Sequence, residues 1–350
     1  MSWHHILFVV DSAGHVGPRM LRKLAHLARS LDAEVELIQS AFEWRALNKG
    51  GIGSGASDCE TRETIVARSS ELKHIVEALQ ASGVRARATV TCERPGYLSI
   101  SHQMLLSKPD LLVIQSTHHS ALARVMLSYT DFKLIETCPC PLLILKNEKA
   151  YLEGCVVAAV DPMHSHDKPA ALDEMIVDTA ARLATAVQGT LHLYHVSVPW
   201  TNLYELDGAS AQMPAPVFAE LSAAYESESE LRMQALRHRA KLGRERVHVE
   251  HGDPADMLPR FARSLNAAVM VMGAVSRSAL RRALIGHTAE RVLDALDCDV
   301  LVVKAPGFIS PLVDEHPATV EPPNVCEVSD LGRSAESGSC SPQSSADRHD

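Results

Sequence analysis

The chain has 350 residues, ample for two domains of ordinary size, and a net charge of −9 that argues against broad contact with nucleic acid or an anionic membrane. Hydrophobic residues make up 46% but aromatic ones only 4%, so the cores must be aliphatic. No apolar run approaches the ~20 residues of a membrane span.

The first residues pass straight into an apolar run, Ile6–Val10, with no charged leader or cleavage site, which points to the cytoplasm. That run ends in Asp11 and reads as a strand buried on both faces. A helical pattern follows from about Pro18 to Leu31, with the proline in its first turn, then a strand over Glu34–Gln39. Residues 43–61 are polar and carry the glycine cluster GGIGSG at 50–55. This cluster is not wedged between a strand and a helix start, and no Gly-Lys-Ser/Thr ends it, so it reads as a loop. A helix over roughly Glu60–Ser82, a strand Val84–Thr91, a short helix Tyr97–Ser107, a strand Leu111–Gln115, a helix Tyr129–Thr137 and a strand Leu142–Leu145 complete the first half.

After a polar joint, 147–154, the order restarts. A strand Cys155–Val160 ends in Asp161, placed like Asp11. A helix over about Lys168–Gln188, a strand Leu191–Val196, a helix Val217–Gly243, a strand Val247–Glu250 and a helix Pro254–Leu265 follow. The half closes on Ala268–Lys304, which repeats Asp110–Lys146 without a gap at an offset of 158 residues, as from Leu143 to Leu301. Identities include Val113/Val271, Arg124/Arg282, Thr130/Thr288, Cys140/Cys298 and Lys146/Lys304. A repeat of this length is two copies of one domain. Strands alternating with helices predict an α/β fold. Each copy is expected to form a five-stranded parallel sheet with helices on both faces, and to bind ligands beyond the carboxyl ends of the strands. The expected boundaries are domain 1 at 1–148, domain 2 at 149–306 and, from 307 to 350, a Ser-, Pro- and acid-rich tail expected to be disordered.

Chemistry is sparse. The sequence holds no Gly-x-Ser-x-Gly, no His-Glu-x-x-His and no Walker lysine, so no catalytic residue is assigned. Eight cysteines include no Cys-x-x-Cys pair; Cys138-Pro139-Cys140 leads into a buried strand, where a free thiol packs as a small apolar group. His4-His5, His118-His119 and His164-x-His166 lack the partners a metal site needs, so no metal ligand is assigned. Arg277, Arg281 and Arg282 form a basic cluster beside a glycine loop, a place for anion contact.

The strand-Asp start, the duplication and the closing segment MGAVSRSALRRALIGHTAERVLDALDCDVLVVK resemble the universal stress protein family, in its tandem form, over about residues 4–306. The resemblance implies two Rossmann-like domains of the adenine nucleotide alpha hydrolase type. It also implies a cytoplasmic, non-enzymatic stress-response role, including tolerance of DNA-damaging conditions, exerted through ligand or partner binding. Some members bind ATP through the aspartate after the first strand and a Gly-x-x-Gly, nine residues, Gly-Ser/Thr loop. Glycines let backbone amides approach phosphate, and the following helix N-terminus favours anions. Domain 2 matches at Asp161, Gly273 and Gly286. Ser276 replaces the second glycine, Arg277 follows it, and His287 replaces the hydroxyl with Thr288 one residue on. Domain 1 keeps only Asp11, with Gln115, His119, Ser128 and Tyr129 replacing the motif. ATP is thus the candidate cofactor, expected in domain 2. The alternatives are an ATP-driven switch or weak ATPase at that loop, and a binder of an apolar small molecule. The resemblance further implies that the two last strands pair as an internal pseudo-dimer, with further self-association of the chain left open.

Overall fold

The computed structural model describes residues 3–11, 16–40, 62–91, 96–116, 127–163, 171–197, 214–273, 287–311 and 325–327. The strands are β1 (His5–Val10), β2 (Glu34–Ser40), β3 (Ala86–Thr91), β4 (Leu111–Gln115), β5 (Leu142–Leu145), β6 (Cys155–Val160), β7 (Thr190–Ser197), β8 (Val247–His251), β9 (Val269–Gly273), β10 (Asp299–Val303) and β11 (Val325–Glu327). The helices are α1 (Pro18–Leu31), α2 (Arg62–Ala81), α3 (Gly96–Ser107), α4 (Tyr129–Thr137), α5 (Leu172–Ala186), α6 (Ala215–Arg239), α7 (Pro254–Ser264) and α8 (His287–Ala295). Each expected element is found, with ends moved by a few residues. The GGIGSG cluster, His118, His119, His164 and His166 lie outside the described residues.

Each repeat builds the same parallel sheet, in the order β3-β2-β1-β4-β5 and β8-β7-β6-β9-β10. Strand order reverses beside β1 and beside β6, so Asp11 and Asp161 sit at the two switch points. The two sheets do not stay separate. Antiparallel pairing of β5 with β10 fuses them, with Leu143 opposite Leu301 and Ile144 opposite Val300. The result is one sheet of eleven strands, whose last member, β11, runs antiparallel on the outer edge of β3.

Apolar side chains of the strands alternate between two faces, and each face is covered by helices from both repeats. On one, Met20 and Leu24 of α1, Leu72 of α2, Ile176 of α5 and Met233 of α6 close over Ile6, Phe8, Val156 and Ala158. On the other, Ile100 of α3, Leu134 of α4, Leu258 of α7 and Val292 of α8 close over Leu7, Leu112, Val157 and Met270. α1 shows how the pattern is made: Met20, Leu24, Leu27 and Ala28 fall on one helical stripe, Pro18 starts it, and Asp32 ends it in the left-handed conformation at φ 50°. The alternation in β2 hides one charge, Glu36, which accepts from His5 Nε2 at 2.9 Å, Arg87 Nη2 at 2.7 Å and Gln103 Nε2 at 2.5 Å. Burial works to raise its carboxyl, but these donors hold it below the ordinary carboxylate value.

The segment after 306, expected to be structureless, departs from that in two places. The Ser310 hydroxyl is buried and donates to the Thr137 carbonyl at 2.7 Å. Residues 325–327 form β11, giving the unpaired N–H and C=O groups of β3 a partner strand.

Candidate functional site

At the repeat junction, two lysines that hold the same place in their repeats cross over. Lys146, just past β5, donates through Nζ to the carbonyls of Leu293 and Leu296, the latter at 2.8 Å, at the end of α8. Lys304, just past β10, donates through Nζ to the Ile135 carbonyl near the end of α4. Each ammonium thus meets the negative end of the other repeat's helix. Burial pushes Lys304 down to about 8, against the pull of Cys138 and Glu136, and lowers Lys146 in the same way. Between them Asp299 gathers buried donors: Lys23 Nζ at 2.5 Å, the Lys146 amide at 2.9 Å and the Tyr151 hydroxyl. The Lys23 ammonium also lies 4.5 Å from the centre of the Tyr151 ring. This cluster ties α1 of one repeat to β10 of the other and is structural.

The ligand-side residues fall at the carboxyl ends of the strands. In the second repeat Asp161 follows β6, and its backbone N–H donates to Asp173 Oδ1 at 3.0 Å. Burial, aided by the Asp161 charge, raises the hydroxyl pKa of Tyr225 on α6, and Arg232 donates to the Pro162 carbonyl at 2.7 Å. His195 pairs with Val160 as Gln39 pairs with Val10 in the first repeat, and its Nδ1 lies 3.1 Å from the Val160 carbonyl, to which it must donate. Gly273 closes β9. A Cβ there would stand 2.8 Å from Leu172 Cδ2 and 3.3 Å from Ile176 Cδ1, so the missing side chain is used by α5, which packs directly on it. Thr288 is exposed in the first turn of α8, and His287 is its first residue. Ser276, Arg277 and Gly286 lie outside the described residues.

The first repeat differs at the same places. Among the described residues Asp11 Oδ1, Gln39 Oε1 and Ser116 Oγ are buried without a hydrogen-bond partner, while Gln39 Nε2 donates to the Asp11 carbonyl at 2.9 Å. Ser128 caps α4 in a reciprocal box: its hydroxyl accepts from the Asp131 amide at 3.2 Å, and the Asp131 carboxylate accepts from the Ser128 amide at 2.7 Å. A carboxylate therefore already occupies the N-terminus of the helix that follows the first repeat's loop. The second repeat has Ala289 at the matching position, which can supply no such anion. Asp131 was legible as Ser-x-x-Asp before an apolar run, a capping signature that points to the same asymmetry as the glycine count. Burial raises the Asp131 carboxyl above its ordinary value against its hydrogen bonds to Ser128.

Cys138 and Cys140 are free, with their sulfurs 3.4 Å apart, and Cys138 is buried at the end of α4. Among the described residues no three His, Cys, Asp or Glu side chains converge as a metal site would require, and no helix is long and apolar enough to cross a membrane.

The comparisons with known proteins agree with this architecture. The model of the "Universal stress protein family" matches residues 2–146 and again 156–304. Universal stress protein E of Photorhabdus laumondii is 23% identical over 316 residues, covering 89% of this chain and 98% of that protein. Universal stress protein E of Escherichia coli K12 is 28% identical over 233 residues, covering 66% of this chain and 72% of its own. The crystal structure of a universal stress protein from Pseudomonas aeruginosa superposes with a TM-score of 0.65 at 23% identity, over 86% of this chain and 93% of that one. The chain belongs to the universal stress protein family and carries two of its domains in tandem.

Proposed function

We propose that the protein acts in stress endurance without catalysis, in the cytoplasm, through ligand or partner binding, and that any nucleotide it takes is held by the second repeat. The family supports the stress role, and survival of DNA-damaging conditions is proposed as part of it. The observation that carries the asymmetry is the Ser128–Asp131 box. In the first repeat a buried carboxylate fills the helix N-terminus on which phosphates would have to rest, whereas the second repeat has Ala289 at that position and the acid in its first turn, Glu290, is exposed. Asp161 offers adenine an acceptor at the switch point, and Gly273, Ser276, Arg277, Gly286, His287 and Thr288 supply the loop and helix start in the sequence. The boundaries at 148 and 306 are proposed as the working limits of the two domains.

Native mass spectrometry of the purified chain tests the reading. A nucleotide released on denaturation supports it. A bound apolar molecule instead would transfer the function to a different ligand class.

A further inference from the structure

The sheet has two outer edges, and they are finished differently. On the first repeat, β11 covers β3, with Cys326 opposite Val90 in an antiparallel pair. β8 holds the matching place in the second repeat, and among the described residues it pairs with β7 alone. Val249, at the middle of β8, is 49% exposed. An open edge of this kind is a template for another strand.

The phase of the β7–β8 ladder fixes which backbone groups of that edge face outward. The Gly252 N–H donates to the Ser197 carbonyl at 3.3 Å, so by alternation His248 and Glu250 turn their N–H and C=O to β7. The N–H and C=O of Val249 and His251 then point away from the sheet. The Val247 N–H is held by the Arg244 carbonyl, which leaves its own C=O on the outer side.

β8 reads Val-His-Val-Glu-His, and this sequence complements itself. Laid antiparallel on a second β8 about Val249, it sets Val249 opposite Val249, Val247 opposite His251 and His248 opposite Glu250. The outward groups of Val249 meet their own copies, and the His251 N–H meets the Val247 carbonyl. His248 and Glu250 fall on the closer, non-hydrogen-bonded positions, where side chains touch. His248 Nε2 is 3.1 Å from His192 Nδ1, so its Nδ1 remains to face the partner's Glu250.

The α6 side of the edge carries a second complementarity. A groove of about 490 Å³ lies between α6 and β8, lined by Val249, Met233, two acids, Glu226 and Glu230, and two bases, Arg237 and Arg244. α6 runs towards the 3-10 turn Arg244–Arg246 from which β8 starts. The arginines therefore lie towards the amino end of β8 and the glutamates towards its carboxyl end. A two-fold axis through Val249 keeps both copies of α6 on one face of the sheet, and it brings the acidic end of each groove to the basic end of the other. The β5–β10 pair already joins two sheets in this manner within the chain.

We infer that the chain forms a symmetric dimer in which two β8 strands pair antiparallel about Val249, joining two eleven-stranded sheets. The occupant of the edge is a second copy because the strand and the groove charges are both self-complementary. Nothing in this depends on the nucleotide proposal.

Sedimentation equilibrium of the intact chain is the test, and a concentration-dependent dimer is expected. Val249→Lys puts two like charges together on the axis and should weaken association at least about tenfold. Glu250→Lys should weaken it several-fold. Val249 is exposed, so its replacement should leave the monomer folded, and an unchanged melting temperature of the diluted protein verifies this. With diamide as oxidant, Val249→Cys should yield more disulfide-linked dimer than the unaltered chain or Val247→Cys, because only residue 249 faces its own copy. A monomer at every concentration, or a dimer indifferent to Val249→Lys, overturns the inference. A dimer lost on removal of residues 312–350 also overturns it, since the tail of a second copy would then be the occupant.

Discussion

Leu143 and Leu301 hold the same place in the two repeats and face each other across the antiparallel β5–β10 pair. A pseudo-two-fold axis therefore runs between them, and the crossed lysines Lys146 and Lys304 obey it. Both leucines are essentially inaccessible, at 1% and 0% exposure. Replacing either by alanine should cost about 2–5 kcal/mol, and the two losses should be similar. Because the sheet is continuous, each variant should shift one transition of the whole chain in denaturant unfolding. Two separate transitions, with only the mutated half weakened, would contradict a shared core.

Lys304 gives the junction a signature in pH. In the unfolded chain its ammonium keeps its proton up to about 10.5, whereas burial lowers the folded value to about 8. Between these values the unfolded state binds more protons, so this lysine makes stability rise with pH across that window, and the gain is lost again as pH falls from about 10.5 to about 8. The swing is at most about 3 kcal/mol. Lys304→Met should lack it: plotted against pH, the stability difference between wild type and variant should slope from about 8 to about 10.5 and be flat below. A difference with no slope there would show that the ammonium is not held as described.

Gly273 is predicted to matter first for packing. Gly273→Ala places a methyl 2.8 Å from Leu172 Cδ2 and should cost about 1–3 kcal/mol, read by thermal or denaturant unfolding. Combining it with Leu172→Ala should destabilise by clearly less than the two single losses together, since the clash partner is gone. Strict additivity would mean that α5 does not press on β9 at that point.

The tail is expected to protect an edge rather than build the core. A chain ending at residue 311 keeps the Ser310 bond to Thr137 and should melt with the full chain, but it loses β11 and bares β3. Self-association, followed by light scattering, should increase. A fall of several degrees in melting temperature would show instead that the tail contributes to the body.

Much of this fold could be read from residue pattern, because parallel strands buried on both faces appear as uninterrupted apolar runs and the duplication shows each run twice. The pairing of the two last strands, Leu142–Leu145 and Leu301–Val303, was expected from the family resemblance. What holds the junction was not foreseen. Lys146 and Lys304 look like ordinary charges at strand ends, and nothing local shows that each reaches a helix of the other repeat. Asp299 likewise has a proline, Pro141, at its repeat position, so the Lys23–Asp299–Tyr151 cluster carries no mark of symmetry. At the site, Gly273 was read as room for phosphate because glycine permits close approach, but the same absence of a side chain also admits Leu172. Sequence spacing cannot choose between a ligand and a helix as the thing that comes close.

The nucleotide asymmetry is tested most directly by calorimetry with ATP on the intact chain, on Gly286→Glu and on Ser128→Glu. The account predicts binding to the unaltered chain, loss in Gly286→Glu, where a carboxylate blocks and repels phosphate, and no change in Ser128→Glu. Tight binding that survives Gly286→Glu would contradict it and place the site elsewhere.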